Sequence, residues 1–346
     1  MDHLTPNPDL YNVAYQTDEF QGMPYRYLGA SGLRSPAIGL GTWKFGFPDT
    51  GDGARADEQT AMQILDRAAE LGVLFWDTAN RYNAASGNSE RVLGRWLAAN
   101  PERRRDVVLA TKTHGGMDGS TPNHSGLSRL QITESVKASL ARLQTDWIDV
   151  LWFHRFDARV PIQESLETVA DLVSQGKVHY LAVSNFTADQ VRAYLEVSEH
   201  LPRRARPIAV QNRFDPLNGE ALPGVLDLCA DQGLAFVPYS PLAQGLLTDR
   251  YLDADKVGPG DRLHDEGQTI DPAKLDVVRG LGELAHSWGL QISQVVLAYM
   301  LTLPGMGTQI PSSSTLTQLE TNAAAGQVQL TDEQRAAVRR ILGHED

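Results

Sequence analysis

Residues 73–94 read VLFWDTANRYNAASGNSERVLG. An apolar, β-rich run from Val73 ends in an aspartate, Asp77, a tyrosine follows at Tyr82, and a helix-like run comes next. An acid that closes a buried strand stands where parallel α/β proteins keep their chemistry, at the carboxyl ends of the strands. The fold therefore turns on whether this unit recurs. From about residue 37 it does, as a short β-rich run, a polar or glycine-containing turn and a longer stretch with apolar residues at helical spacing. The strand candidates are AIGLGTW from Ala37, VLFWDTA from Val73, VVLATKT from Val107 and IDVLWFH from Ile148, then YLAVSN from Tyr180, PIAVQNR from Pro207, AFVPYS from Ala235 and GTQIPS from Gly307. Helix candidates such as ADEQTAMQILDRAAELG and IQESLETVADLVSQG lie between them, closed by a glycine where a C-cap is expected.

Eight βα units without a break in composition predict an α/β fold, a (β/α)8 TIM barrel in a single domain. A doubly wound sheet would normally carry G-x-G-x-x-G after its first strand, and GLGTWKFG has the wrong spacing. The connection between the seventh and eighth strands holds two helical patterns, KLDVVRGLGELAHSW and ISQVVLAYMLTL, so an extra helix is expected there. TDEQRAAVRRIL predicts a C-terminal helix outside the repeat. Residues 1–23 read as an N-terminal extension and 24–346 as the barrel.

The chain has 346 residues, 42% hydrophobic and 21% charged, as in a globular protein that buries a substantial core. A net charge of -12 argues against a nucleic-acid groove, and the short basic runs at 103–105 and 203–206 read as solvated loops. The single cysteine, Cys229, excludes an intramolecular disulfide framework and fits a reducing compartment. The first residues lack a basic region followed by an apolar core, and no apolar run is long enough to span a bilayer, so a cytoplasmic protein without a membrane partner is expected. No metal is expected: the nine histidines include no H-E-x-x-H, and one cysteine cannot build a thiolate cluster.

Alternate residues of a barrel strand point inward. Val73, Phe75 and Asp77 then share a face, as do Val108, Ala110 and Lys112, and Ile148, Val150, Trp152 and His154. This parity aims Asp77, Lys112 and His154 inward at three neighbouring strand ends, with Tyr82 on the loop just beyond. Each has an ordinary structural reading: a helix cap, a snorkelling lysine, a satisfied core histidine, a packed loop aromatic. Their coincidence points to chemistry instead. A tyrosine, with a usual pKa of about 10, becomes a useful acid when a cation stabilises its phenolate, and Lys112 can be that cation. Asp77 would keep the lysine charged, and His154 would orient a carbonyl oxygen. Such a site needs a hydride. Trp43, Phe45, Phe47 and Phe156 are open to two readings, an aromatic mouth or packing. The glycine-rich segment 114–126, HGGMDGSTPNHSG, is either a substrate lid or a mobile loop.

The chain resembles the aldo-keto reductases, and within them the branch of bacterial glyceraldehyde-phosphate reductases and potassium-channel β-subunits. The resemblance spans about residues 24–343. It rests on YRYLGASGLRSPAIGLGTW, FWDTANRY, VVLATKT, IDVLWFHRFD, GKVHYLAVSNF, AVQNRFDPL, VPYSPLAQGLLTDRY and IPSSSTLTQLETN in that order. It implies a catalytic set of Asp77, Tyr82, Lys112 and His154, with Tyr82 as proton donor, and a small carbonyl or sugar substrate near Trp43, Tyr82 and His154. It also implies a cofactor, NADP(H), with NAD as the alternative. Gly41, Thr42, Trp43 and Asp77 would lie near the nicotinamide ribose, Ser184, Asn185 and Gln211 on the carboxamide, and Tyr239 against the ring. Ser240, Pro241, Leu242, Gln244 and Gly245 would wrap the pyrophosphate, with Arg250 adding charge, and Arg250 and Arg262 would balance the charge of a 2'-phosphate held by Ser314 and Gln318. Ser312, Ser314, Gln318 and Asn322 would hold the adenosine end. Ser312 replaces a common glycine and Thr321 a common glutamate of that pocket. Two other activities fit the same resemblance: an NAD-dependent sugar dehydrogenase, and a cofactor-binding regulatory subunit with slow turnover.

Overall fold

The computed structural model describes residues 18–117, 119–201, 205–253 and 257–344. Seven parallel strands form one sheet in sequence order: β1 (Leu40–Gly41), β2 (Phe75–Asp77), β3 (Val108–Thr113), β4 (Ile148–Phe153), β5 (Val178–Ser184), β6 (Ala209–Gln211) and β7 (Ala235–Phe236). Register sets Gly41 beside Asp77, Asp77 beside Ala110, Lys112 beside Trp152 and Ser184 beside Gln211. The ends of successive strands thus stand together on one edge of the sheet.

The expected eighth strand is not a regular ladder. Isolated parallel bridges join Met306 to Phe236 on one side, and Gln309 to Ile38 and Ser312 to Gly41 on the other. Gly307 N donates to Phe236 O, and Gly41 N to Pro311 O. The segment 305–312 therefore touches both edge strands. Glycines at 305 and 307 and a proline at 311, which has no N–H to give, explain why no continuous ladder forms.

Two apolar sets pack on the sheet. A small inner one joins Phe75, Ala110, Val150, Trp152, Ala182 and Ile310, with Leu28, which directly follows the middle strand of an antiparallel sheet of Glu19–Phe20, Met23–Tyr27 and Arg34–Pro36. The parity reading holds for Phe75, Ala110, Val150 and Trp152. It fails for Val73 and Ile148, which belong to the larger set between the sheet and the helices. Val73 precedes its strand and Ile148 opens one, where alternation has not yet been imposed.

Several helices begin where short polar residues cap them. Asp57 accepts from Thr60 N ahead of Glu58–Glu70, and Thr187 and Thr331 form capping boxes ahead of Ala188–Glu199 and Asp332–Leu342. After β7 come the short turn Arg262–Asp265 and the helices Pro272–Ser287 and Ile292–Met300, and Asp332–Leu342 closes the described chain. Of the expected N-terminal extension, residues 1–17 lie outside the described residues, and Glu19–Phe20 pairs with Met23 and Pro24. Among the described residues no helix is long and apolar enough to cross a membrane.

Candidate active site

Asp77 is the last residue of β2 and Lys112 the penultimate residue of β3, so both carry their charges to the same sheet edge. Their side chains are only 2% and 1% exposed, so each requires a partner. Lys112 Nζ donates to Asp77 Oδ2 at 2.5 Å, to the carbonyl of Thr78 at 2.8 Å and to Tyr82 Oη at 2.9 Å. Those three acceptors use all three ammonium protons. Tyr82 Oη also donates to Asp77 Oδ2 at 3.4 Å.

Tyr82 is brought there by an uncommon backbone. Asn83, Ala84 and Ala85 all have φ between 56° and 61°, the left-handed region that side chains disfavour. The turn is tied down by Asn83, whose Nδ2 donates to Phe45 O at 2.5 Å. His154 follows β4 and meets the Tyr82 ring edge-on, centroids 6.2 Å apart. Trp43 lies on another side, 6.4 Å from the Tyr82 ring, with Lys44 and Arg262 over its own ring at 4.2 and 4.5 Å.

The electrostatics suit a proton donor at rest. Burial pushes the Tyr82 phenol well above its usual range, and the Asp77 carboxylate adds to the effect. Burial lowers Lys112, while Asp77 opposes the loss of its charge. His154 is pushed down to about 3, first by burial and then by the Lys112 charge, so its imidazole is neutral. At rest the phenol is thus raised, with desolvation the first cause, and the Lys112 ammonium stands 2.9 Å from its oxygen.

A second ring of polar groups supports these four. Gln211 Nε2 donates to Asp77 Oδ1 at 2.9 Å, occupying the carboxylate oxygen that Lys112 leaves free. Asn185 donates to His154 O at 2.9 Å and accepts from Tyr239 Oη at 2.9 Å. Ser184 accepts from the Asn185 amide at 3.1 Å. Ser184, Asn185, Gln211 and Tyr239 thus join the four reactive residues in one network. Their amide and hydroxyl groups are a donor–acceptor set that matches a carboxamide, with a phenol ring alongside.

Other expected cofactor residues stand apart from this network. Thr42 is fully buried, and its hydroxyl donates to Asp77 O at 3.0 Å and meets Ser89 Oγ at 3.0 Å. Its hydroxyl is a strut between strand ends. Gly41 is required by packing, since a Cβ there would meet Ile310 O and Ser312 Oγ, both at 2.9 Å. Ser240, Ala243, Gln244 and Gly245 all take positive φ, in a turn closed on itself by Ala243 N donating to Ser240 O at 3.0 Å and Gly245 N to Leu242 O at 2.9 Å. Arg250 is ion-paired with Asp261, and Arg262 donates to Glu266 at 2.8 Å, so both arginines have carboxylate partners. Ser314 N and Oγ donate to Gln318 Oε1 at 2.8 and 3.1 Å, and Asn322 donates to Ser313 Oγ at 3.3 Å.

Of the aromatic mouth only Trp43 borders Tyr82. Phe45 is fully buried, Phe47 lies under Arg95, and Phe156 packs on Phe186 and Tyr194. Among the described residues of 114–126, Gly126 N donates to His114 O at 2.7 Å, and the His124 ring lies against Gly119.

Sequence reading missed Ser89 and Glu90. Ser89 bridges Thr42 and Thr78, and buried Glu90 accepts from Thr111 Oγ1 and Arg142 Nε, each at 2.6 Å. Their signal was two adjacent polar residues inside the helix Asn88–Ala99, directly after the Tyr82 turn.

The parallel α/β scaffold thus carries Asp77, Tyr82, Lys112 and His154 gathered at its strand ends. The chain belongs to the aldo/keto reductase family, whose model matches residues 37–342. It is similar to the oxidoreductase YrpG of Bacillus subtilis, 35% identical over 90% of this chain and 93% of the other. It is also similar to L-glyceraldehyde 3-phosphate reductase of Escherichia coli K12, 30% identical over 89% of each. A putative voltage-gated potassium channel subunit beta of Schizosaccharomyces pombe is 32% identical over 90% and 91%.

Proposed function

We propose that this aldo-keto reductase reduces an aldehyde or ketone to the alcohol, or runs the reverse reaction, with Tyr82 as general acid and base. The observation that carries the reading is the Lys112 ammonium bonded at once to Asp77 and to Tyr82 Oη, beside a neutral His154. A carbonyl oxygen lodged between Tyr82 Oη and the imidazole accepts a hydrogen bond from each. Tyr82 hands over its proton, and the phenolate left behind remains against Lys112. Asp77 holds Lys112 charged, while Gln211 and the Thr78 carbonyl hold Asp77 and Lys112 in place. A neutral imidazole polarises the carbonyl without competing to give up a proton.

When bound, a nicotinamide cofactor supplies the hydride. Ser184, Asn185 and Gln211 would hold its carboxamide and Tyr239 would lie against its ring. The turn 240–245 would hold the pyrophosphate, and Ser312, Ser314, Gln318 and Asn322 the adenosine end. NADP(H) is the cofactor we propose, with Ser314 and Gln318 as neutral donors to a 2'-phosphate. One observation favours NAD instead: Arg250 and Arg262 already hold carboxylates. In this reading 305–312 is the eighth stave of a (β/α)8 barrel spanning residues 24–346, residues 1–23 precede it, and one helix after β7 is extra to the repeat. The single buried thiol, Cys229, supports a reducing compartment such as the cytoplasm. Following NADPH and NADH consumption over a panel of aldehydes and ketones tests the reading. No turnover with either cofactor would reject it in favour of a regulatory binder.

A further inference from the structure

Three arginines flank the reactive residues: Arg81 precedes Tyr82, Arg155 follows His154, and Arg213 stands two places beyond Gln211, bridged to Tyr239. All three are exposed. Arg81 does not run straight out to solvent. A Cβ on Gly115 would lie 2.0 Å from Arg81 Cδ, so the side chain folds across the loop that follows Lys112. The charges of Arg81 and Arg155 both bear on the imidazoles of His154 and His114, and those of Arg155 and Arg213 on the Tyr239 phenol. By chain position the three cations form an arc along the strand ends, next to Tyr82, His154 and the strand-bridged Tyr239.

Many surface arginines here have a carboxylate, among them Arg55, Arg95, Arg129, Arg192 and Arg279. No such ion pair is made by Arg81, Arg155 or Arg213 among the described residues. The nearby acids are engaged elsewhere. Asp77 is held by Lys112 and Gln211, while Asp157 accepts from the backbone of Leu127 and Arg159, with the Arg159 side chain 3.8 Å away. Buried Asp215 feels the Arg213 charge, but its oxygens accept from Leu217 and Asn218. In a chain of net charge -12, three mutually repelling cations without counter-charge at one mouth leave a place for an anion.

We propose that Arg81, Arg155 and Arg213 recognise an anionic group, phosphate or carboxylate, carried by the carbonyl substrate a few atoms from its reacting carbon. The proposal rests on the reductase reading above. That reading gives the cofactor phosphates to the turn 240–245 and to 312–322, on segments other than those bearing the arc, so the anion here is the substrate's.

The test compares kcat/KM at saturating cofactor within two matched pairs: glyceraldehyde 3-phosphate against glyceraldehyde, and succinic semialdehyde against butanal. A well-made guanidinium contact predicts a preference of about tenfold or more for at least one charged member. The pair that shows it distinguishes phosphate from carboxylate. In R155Q, and further in R81Q/R155Q/R213Q, that ratio should fall towards one. A ratio near one in the wild type, or a preference that survives the triple substitution, overturns the arc and leaves the reductase reading standing. Calorimetry on the cofactor-loaded protein with glycerol 3-phosphate and 4-hydroxybutyrate, against glycerol and butanol, reads the same contacts without turnover. Arginine-dependent binding of either anion in a protein that reduces no aldehyde would uphold the arc and reject the reductase reading alone.

Discussion

The strand ends that carry Asp77, Lys112 and His154 and the loops from Ser240 to Asn322 serve one reading of the site, yet they are built in opposite ways. At the strand ends the charged groups are buried and spend their hydrogen bonds on one another: Lys112 on Asp77 and Tyr82, Gln211 on Asp77. In the loops the charged groups are more exposed and are held by local carboxylates, Arg250 by Asp261 and Arg262 by Glu266. The first region is set before any ligand arrives, which is what electrostatic stabilisation of a developing charge requires. The second must exchange its present partners for those of a ligand. Its contribution to binding is reduced by whatever the arginine–carboxylate pairs already gain.

The strongest way to break this contrast is Tyr82→Phe. If the preset cluster performs the chemistry, losing one hydroxyl removes the general acid, and turnover should drop by about 10² to 10⁴. Cofactor affinity, read by fluorescence titration, should hardly move. Activity within a few-fold of wild type would remove Tyr82 from the mechanism.

Lys112→Met comes next. It keeps the length and removes the charge that meets a phenolate, so the group controlling proton transfer should titrate at higher pH and turnover at neutrality should collapse by about 10² or more. The same change strands Asp77 as a buried carboxylate without its cation, at a cost of roughly 3–5 kcal/mol of stability. A pH–rate profile like the wild type's would mean that another cation tunes Tyr82.

His154 makes the contrast visible in stability. Its pKa lies near 3 in the folded protein and at about 6.5 in an unfolded chain. Between those values the unfolded state binds a proton that the folded state refuses. Stability should therefore fall as pH drops from about 6.5 towards 3. His154→Gln should flatten that part of the pH–Tm curve, while an equally steep curve in the variant would locate the acid sensitivity elsewhere.

The chemical half of this contrast was legible in the sequence and the loop half was not, for a physical reason. Period-two alternation identifies which side chains share a sheet face, so Phe75, Ala110, Val150 and Trp152 could be grouped and Asp77 and Lys112 aimed beside them. Alternation carries no information before a strand begins, and Val73 went to the outer layer. It also says nothing of pairs distant in the chain, such as Gln211 with Asp77, or of left-handed turns made without glycine, such as 83–85. Sequence leaves Phe45 and Phe156 open between a mouth and packing because it does not record which neighbour will bury them. The carboxylates that hold Arg250 and Arg262 lie within about a dozen residues of them, but an arginine near an acid is too common a pattern to announce an ion pair.

The smallest expected effect sharpens the loop half. Arg262 stacks over Trp43 at 4.5 Å, and its short turn packs against 243–245, whereas Ser314 and Gln318 bond to each other at the start of the helix Leu316–Ala324. In the proposed reading Trp43 and the turn 240–245 serve the nicotinamide ribose and the pyrophosphate, which NADPH and NADH share. Arg262→Ala should therefore weaken both cofactors alike. The loss should be only about threefold to tenfold, because in the wild type the guanidinium is already paired with Glu266 and part of its contact with a ligand is offset by loosening that pair. Gln318→Ala should act differently: it sits where a 2'-phosphate is proposed, so it should lower NADPH affinity by a few-fold and leave NADH nearly unchanged. Titrating each variant with both cofactors at fixed ionic strength separates the two roles. If Arg262→Ala narrows the NADPH preference and Gln318→Ala does not, the arginine reaches the 2'-phosphate and the assignment of the two ends of the cofactor must be redrawn.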